Sequence, residues 1–192
     1  MPNELPRWRT DRIVNGLTNG AVIAYPTEGV WGLGCLPDLD VSVGHMLNLK
    51  RRDWREGLIL IASDISHVNQ YLEGISPEAR EQLKQVWPSA VTFLVPDNGS
   101  VPTWIKGAHS RIALRVSTHP TVRSICDALG GAIVSTSANP TGRPPALDAL
   151  RVRQYFGSEV DFIVPGQLGD QDGPSEIRDL ESGAVIRPGK SG

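Results

Sequence analysis

The stretch RIALRVSTHPTVRSICDALGGAIVSTSAN, residues 111–139, reads as strand, helix and strand in succession. RIALRV (111–116) and GAIVST (131–136) are short aliphatic runs, and HPTVRSICDALG (119–130) between them has the length of a helix. The same alternation continues on either side. TDRIVNGLTNG offers Thr10 or Asp11 as a helix N-cap, places Ile13, Val14 and Leu17 at helical spacing, and ends on Gly20. AVIAY (21–25) is a buried strand closed by Pro26, and the Gly-rich GVWGLG (29–34) reads as a flexible connection to the next helix, which starts at Asp40. GLILIA (57–62) and AVTFLVP (90–96) are further strands. SPEAREQLKQVW opens with Ser76 as cap, Pro77 at the first helical position and Glu78 in the first turn, a clear helix start. ALDALRVRQYFG (146–157) reads as a helix; DFIVPG (161–166), SEIRDL (175–180) and AVIRPG (184–189) read as short strands. DNGSVPTW (97–104) and GQLGDQDGPS (166–175) read as loops. The pattern is that of one α/β domain over residues 1–192, a twisted mixed sheet flanked by helices, whose strand order the sequence does not disclose.

Composition narrows the function classes. Hydrophobic residues make up 40% and charged residues 21%, ordinary globular values that argue against disorder. A net charge of −2 supplies no global attraction to nucleic acid, so anion binding has to come from local clusters. Cys35 and Cys126 lie far apart among apolar neighbours and read as free thiols; His45, His67, His109 and His119 have no metal-ligand spacing. The N-terminus lacks the apolar core of a signal peptide and no apolar run approaches a membrane span, so a soluble, cytoplasmic protein without membrane contact is expected. No P-loop, G-x-S-x-G, H-E-x-x-H or C-x-x-C is present.

Four segments carry groups suited to an anionic ligand. In PTEG, Pro26 sets the exit of the strand, and Thr27 and Glu28 then stand beyond a strand end, where open α/β sheets bind ligands. Glu28 offers a carboxylate for a substrate amine. Lys50, Arg51, Arg52 and Arg55 put four cations in six positions, more than one helix dipole needs, and read as a phosphate grip. VSTSANPTGRPP (134–145) combines Ser135, Thr136, Ser137 and Asn139 with three stiffening prolines, a loop both polar and rigid. Arg111 and Arg115 lie four apart on one strand face, and Arg187 precedes Pro188, so guanidiniums suited to bidentate anion binding recur at element ends. These residues point to a phosphate-bearing ligand, a nucleotide held without a P-loop. Trp31, Trp54, Trp87 and Trp104 read as core or cavity wall.

In order, the chain carries PTE (26–28) before its Gly-rich stretch, K-x-R at Lys50–Arg52, ALRV followed by HP, STSAN (135–139), PSEIRD (174–179) and a final IRPG (186–189). With these motifs it resembles, over essentially its whole length, the threonylcarbamoyl-AMP synthases of the TsaC/YrdC family. The motif-bearing core covers about residues 10–190, as in the short single-domain bacterial form that lacks an extra C-terminal domain. The resemblance implies a YrdC-like fold with a basic concave cavity. It also implies nucleotidyltransfer: L-threonine, bicarbonate and ATP give threonylcarbamoyl-adenylate and pyrophosphate, and a separate threonylcarbamoyl transferase complex then modifies an adenosine beside the tRNA anticodon. Carried over residue by residue, Thr27, Arg115, Ser135 and Ser175 are expected on L-threonine. Lys50, Arg52, Ser137, Asn139, Pro145 and Arg187 are expected on ATP, Lys50 and Arg52 stabilising phosphate charge. The resemblance identifies no general base. Mg²⁺ would arrive with ATP rather than in a protein metal cluster, and no organic cofactor is implied. A basic cavity also admits an RNA end, so weak RNA binding belongs to the same expectation. The alternatives are a non-catalytic nucleotide- or RNA-binding paralogue of this fold and a pure RNA-binding module, although the chain has no Lys/Arg stripe with interleaved aromatics. Asp53 stands after K-x-R where the family often has Pro, and PSEIRD replaces the more widespread PSTVVD, which brings Glu176 and Arg178 into the threonine-side stretch.

Overall fold

A strand with apolar residues on both sides has to be covered on both faces, and the short aliphatic runs of this chain are covered in that way. The computed structural model describes residues 4–189. Its strands are β1 (Ile23–Pro26), β2 (Trp31–Gly34), β3 (Ile59–Ala62), β4 (Val91–Pro96), β5 (Arg111–Val116), β6 (Ile133–Ser137), β7 (Phe162–Ile163), β8 (Glu176–Asp179) and β9 (Val185–Arg187). They form one sheet in the order β7-β1-β2-β6-β3-β5-β4-β8-β9. Parallel and antiparallel pairs mix: β3 runs parallel to β5 and antiparallel to β6, with Leu60 opposite Leu114 on one side and Val134 on the other.

The helices are α1 (Arg7–Thr18), α2 (Asp40–Lys50), α3 (Pro77–Val86), α4 (Thr103–Lys106), α5 (Pro120–Leu129) and α6 (Ala149–Phe156), with 3-10 segments at Trp54–Glu56 and Ile65–Leu72. One sheet face packs Leu60, Phe93, Leu114 and Val134 against Met46 of α2, Leu83 of α3 and Val152 of α6. On the opposite face Ile23, Ile61 and Ile133 meet Ile13 and Leu17 of α1 and Ile125 of α5. Each fully buried aliphatic side chain contributes roughly 1.5–3 kcal/mol. The helices α1 and α5 cover only part of that second face, and the uncovered part carries the alternate residues of β3 to β6, where the cavity lies.

Several local readings hold for plain reasons. Ser76 caps α3 by accepting from the Ala79 N–H at 3.1 Å, with Pro77 next in line. His119, not a Ser or Asp, caps α5 by accepting from the Thr121 N–H. Three readings change. Helix α1 begins at Arg7, earlier than a cap at Thr10 or Asp11 would allow, because the Pro6 carbonyl accepts from the Arg9 and Thr10 N–H groups. GVWGLG is mostly strand: a Cβ on Gly34 would lie 2.6 Å from the Val134 carbonyl oxygen and 2.9 Å from the Tyr25 ring. Its glycines therefore permit close strand packing rather than looseness. Thr103 and Trp104, read as loop, begin α4 behind Pro102.

Candidate active site

The cavity, about 480 Å³, opens where the strand ends of β1 and β6 face β8 and β9. Side-chain alternation builds it. On β5, Ile112, Leu114 and Val116 enter the core, so Arg111, Ala113 and Arg115 turn into the cavity. By the same rule β6 contributes Ser135 and Ser137, β3 contributes Ile59 and β4 contributes Leu94. Thr27 and Glu28 enter from the turn after β1, and Ser175 and Arg187 from the far edge of the sheet.

One wall is a buried polar network. The Arg115 guanidinium lies 3.1 Å from the Glu28 carboxylate, and the Ser117 hydroxyl donates to Glu28 at 2.5 Å. Burial would raise the Glu28 carboxyl, but Arg115 and then Ser117 outweigh it and hold it below the usual carboxylate range. Glu28 is thus committed to Arg115, which corrects the reading of it as a free acceptor for an amine. The Thr27 hydroxyl donates to the Val30 carbonyl at 2.7 Å. Ser175 is held from two sides: its hydroxyl meets Thr92 at 2.9 Å, and its carbonyl accepts from the Arg187 guanidinium at 2.7 Å.

The loop of residues 166–175 is stitched onto PTEG. Gly169 and Gln171 donate their N–H groups to the Thr27 and Glu28 carbonyls, and His119 Nε2 donates to the Gln167 carbonyl at 3.0 Å. His119 accepts at Nδ1 from the Thr121 N–H, which leaves the proton on Nε2. Burial holds its pKa below the ordinary histidine value. Gly29 has no room for a side chain, since a Cβ there would stand 2.1 Å from the Gly173 carbonyl oxygen. The sequence presents this segment as a loop without a role, gives Ser117 none, and shows His119 only as the first residue of the HP motif. The signal was a second polar stretch, STHP, just beyond the end of β5, in the same kind of position that singled out PTE.

Three guanidiniums share one field. Burial lowers the Arg187 pKa from its ordinary value, and repulsion from Arg115 and Arg52 lowers it further. Arg52 lines the cavity, donating to the Gly57 carbonyl at 3.0 Å and facing Glu56 at 3.4 Å. The Nε atoms of Arg52 and Arg115 are buried without a partner. An anion in the cavity would satisfy such donors.

The four cations of the basic junction do not come together in the cavity. Arg52 alone of them lines it. Lys50 is 2% exposed and donates to the carbonyls of Ser137 and of Asn139, the latter at 2.9 Å. Arg51 adopts a left-handed conformation at the end of α2 and is exposed, and Arg55 pairs with Asp53 at 3.3 Å outside the cavity. Arg111 lines the cavity but is engaged by Asp179 and, at 2.8 Å, by Glu181. Asn139 and Pro145 stand off the cavity wall; the Asn139 amide donates to the Pro140 and Arg143 carbonyls and shapes the loop. Of the PSEIRD stretch, Pro174, Ser175 and Ile177 line the cavity, while Glu176 and Arg178 pair with each other away from it. Asp53 accepts from the Arg55 N–H and caps the 3-10 turn after K-x-R. Trp31 and Trp87 are core and Trp104 packs against it, but Trp54 is 43% exposed beside the Arg55 guanidinium, and none of the four lines the cavity.

Both cysteines are free and buried, and among the described residues no group of His, Cys, Asp and Glu could hold a metal. No helix among them is long and apolar enough to cross a membrane. The family model for Sua5, YciO and YrdC, described as telomere recombination, matches residues 15–189. The threonylcarbamoyl-AMP synthase of Cellvibrio japonicus is 46% identical over 180 residues, covering 94% of this chain and 95% of that protein. The enzyme of the same name from Hahella chejuensis is also 46% identical, over 94% of this chain and 98% of that one. Among solved structures, P. abyssi Sua5 complexed with L-threonine superposes with a TM-score of 0.90 at 25% identity; the match covers 97% of this chain and 55% of that one. E. coli YciO, at 24% identity and a TM-score of 0.85 over 97% of this chain and 92% of its own, shares the fold.

Proposed function

The chain belongs to the Sua5/YciO/YrdC family, and from that premise we propose that it is a threonylcarbamoyl-AMP synthase, joining L-threonine, bicarbonate and ATP into threonylcarbamoyl-adenylate and pyrophosphate. One observation carries the reading beyond the names of its relatives. Thr27, Arg52, Arg115, Ser135, Ser137, Ser175 and Arg187, drawn from separate motifs along the chain, line one cavity that holds three convergent guanidiniums.

In this reading Arg115, oriented by Glu28, takes the threonine carboxylate, with the hydroxyls of Thr27, Ser135 and Ser175 around the amino acid. Arg52 and Arg187 face the phosphates, and Ser137 faces the nucleoside. Bicarbonate and the threonine amine condense with loss of water to an N-carboxylate. One oxygen of that carbamate attacks the α-phosphorus, forming the P–O bond as the bond to the β-phosphate oxygen breaks and pyrophosphate leaves. The work of the site is positioning and charge neutralisation, so no covalent nucleophile is required. Mg²⁺, when bound, neutralises charge on the phosphates. The carboxylates on the cavity wall include Glu28, which Arg115 occupies, and Glu56, which faces Arg52. That donor set suits a metal carried chiefly by ATP oxygens. The product would pass in the cytoplasm to a tRNA-modifying threonylcarbamoyl transferase complex, and weak RNA binding at the basic cavity mouth would assist that hand-over.

The test is pyrophosphate release from ATP and Mg²⁺ with and without L-threonine and bicarbonate. Release that needs both, and disappears when EDTA removes the metal, is expected. ATP binding without threonine-dependent release would overturn the synthase reading in favour of a non-catalytic nucleotide-binding paralogue.

A further inference from the structure

Lys50 is the least exposed basic side chain among the described residues, at 2%. Its ammonium forms no ion pair among the described residues. It meets two backbone oxygens instead, those of Ser137 and Asn139. Their orientation follows from the strand. Ala138 donates its N–H to the Trp31 carbonyl on the β2 side, so the Ser137 carbonyl turns toward β3, where it accepts from the Asn139 N–H at 2.9 Å in a tight turn that ends the strand. Pairing of β6 with β3 reaches only Ser135, opposite Ile59. Both carbonyls therefore lie past the ladder: that of Ser137 keeps only the tight-turn donor and that of Asn139 accepts from no backbone N–H among the described residues, and a part-buried carbonyl left so is costly. Lys50 fills the place of the missing strand. Its own carbonyl accepts from the Thr141 N–H at 2.7 Å, so one residue at the end of α2 holds the STSANPT segment at three backbone points.

We propose that Lys50 is a positioning residue that clamps the backbone of the Ser137–Thr141 loop from behind and so holds Ser137, the cavity-lining residue of that loop, in place for the nucleotide, rather than a ligand of the phosphates. The proposal rests on the reading of this cavity as a nucleotide site. It separates from a phosphate grip by what it does to a ligand with no phosphate. A loop clamp shapes the site for adenosine and ATP alike, whereas a cation on the phosphates affects ATP only.

The experiment measures dissociation constants of adenosine, ATP and L-threonine for the wild type, Lys50→Met and Lys50→Arg. The expected result is a loss of roughly tenfold or more for adenosine and ATP in parallel in both variants, the ATP-to-adenosine affinity ratio staying within about twofold of wild type. L-threonine affinity, set mainly by the Arg115 wall, stays near wild type and reports an intact cavity. Weakened ATP binding with unchanged adenosine binding would overturn the clamp, as would Lys50→Arg restoring ATP alone or unchanged binding of both nucleotides. Should Lys50→Met fail to fold, Lys50→Arg, which keeps the charge but not a nitrogen centred between two carbonyls, gives the same reading. Failure of the wild type to bind adenosine or ATP would defeat the nucleotide assignment itself, a separate outcome.

Discussion

Glu28 and Arg115 neutralise one another before any ligand arrives, and this sets what each can do. A carboxylate held ionised below the usual range is a poor proton acceptor, so Glu28 is not the base that frees the threonine amine. Its work is to hold a guanidinium in one orientation. Replacing it by glutamine keeps the shape and removes the charge, leaving Arg115 buried without a counter-ion. We expect Glu28→Gln to raise KM for L-threonine by about ten- to a hundredfold while KM for ATP changes less than about threefold, read in steady-state pyrophosphate release. Equal effects on both substrates would mean that the pair supports the whole cavity instead. At this scale residue type was legible and commitment was not. The sequence presents Glu28, Lys50 and Arg111 as free charges, yet their partners, Arg115, the loop carbonyls and Asp179, come from distant segments.

Elements, more than single side chains, carry the site. The strands β5 and β6 supply its floor by alternation, and the loop of residues 166–175 closes one side by pairing its backbone with the turn after β1. That closure depends on Gly29 having no side chain. Gly29→Ala would push the Gly173 backbone away, because a Cβ 2.1 Å from a carbonyl oxygen cannot be accommodated by a rotamer change. The displaced loop leads directly into Ser175. The expected outcome is a several-fold loss of L-threonine affinity with little loss for ATP, together with faster proteolysis within residues 166–175. The 3.6 and 2.0 periods revealed most helices and strands, down to the Ser76 cap and its following proline. They missed β2, whose glycines mimic a loop because the reason for them, Val134 and Tyr25 pressing on the strand, lies in other elements.

For the whole molecule, the buried Lys50 makes stability depend on pH. Burial first, and then Arg52, bring its pKa from 10.5 down to about 7. Between those values the unfolded chain holds a proton that the folded chain has released, so raising the pH favours the fold. Urea unfolding midpoints should rise between about pH 7 and 8.5, and Lys50→Met should flatten that rise. At higher pH the buried thiols of Cys35 and Cys126, pushed up to about 12, act the other way, since the folded state keeps protons that the unfolded chain loses. A flat wild-type profile over this window would show Lys50 to be fully charged in the fold. What the sequence by itself determined is the class of the protein: local periodicity, caps and turn residues depend on neighbours a few positions apart, and the ordered motifs PTE, K-x-R, STSAN and IRPG identify the family. What only the tertiary structure decided is the strand order, the strand β2 and the division of the basic junction between a cavity-facing Arg52 and an inward Lys50. Each of these depends on contacts between residues far apart in the chain, as when Lys50 meets carbonyls 87 and 89 positions away, and no local pattern encodes which buried charge finds which partner.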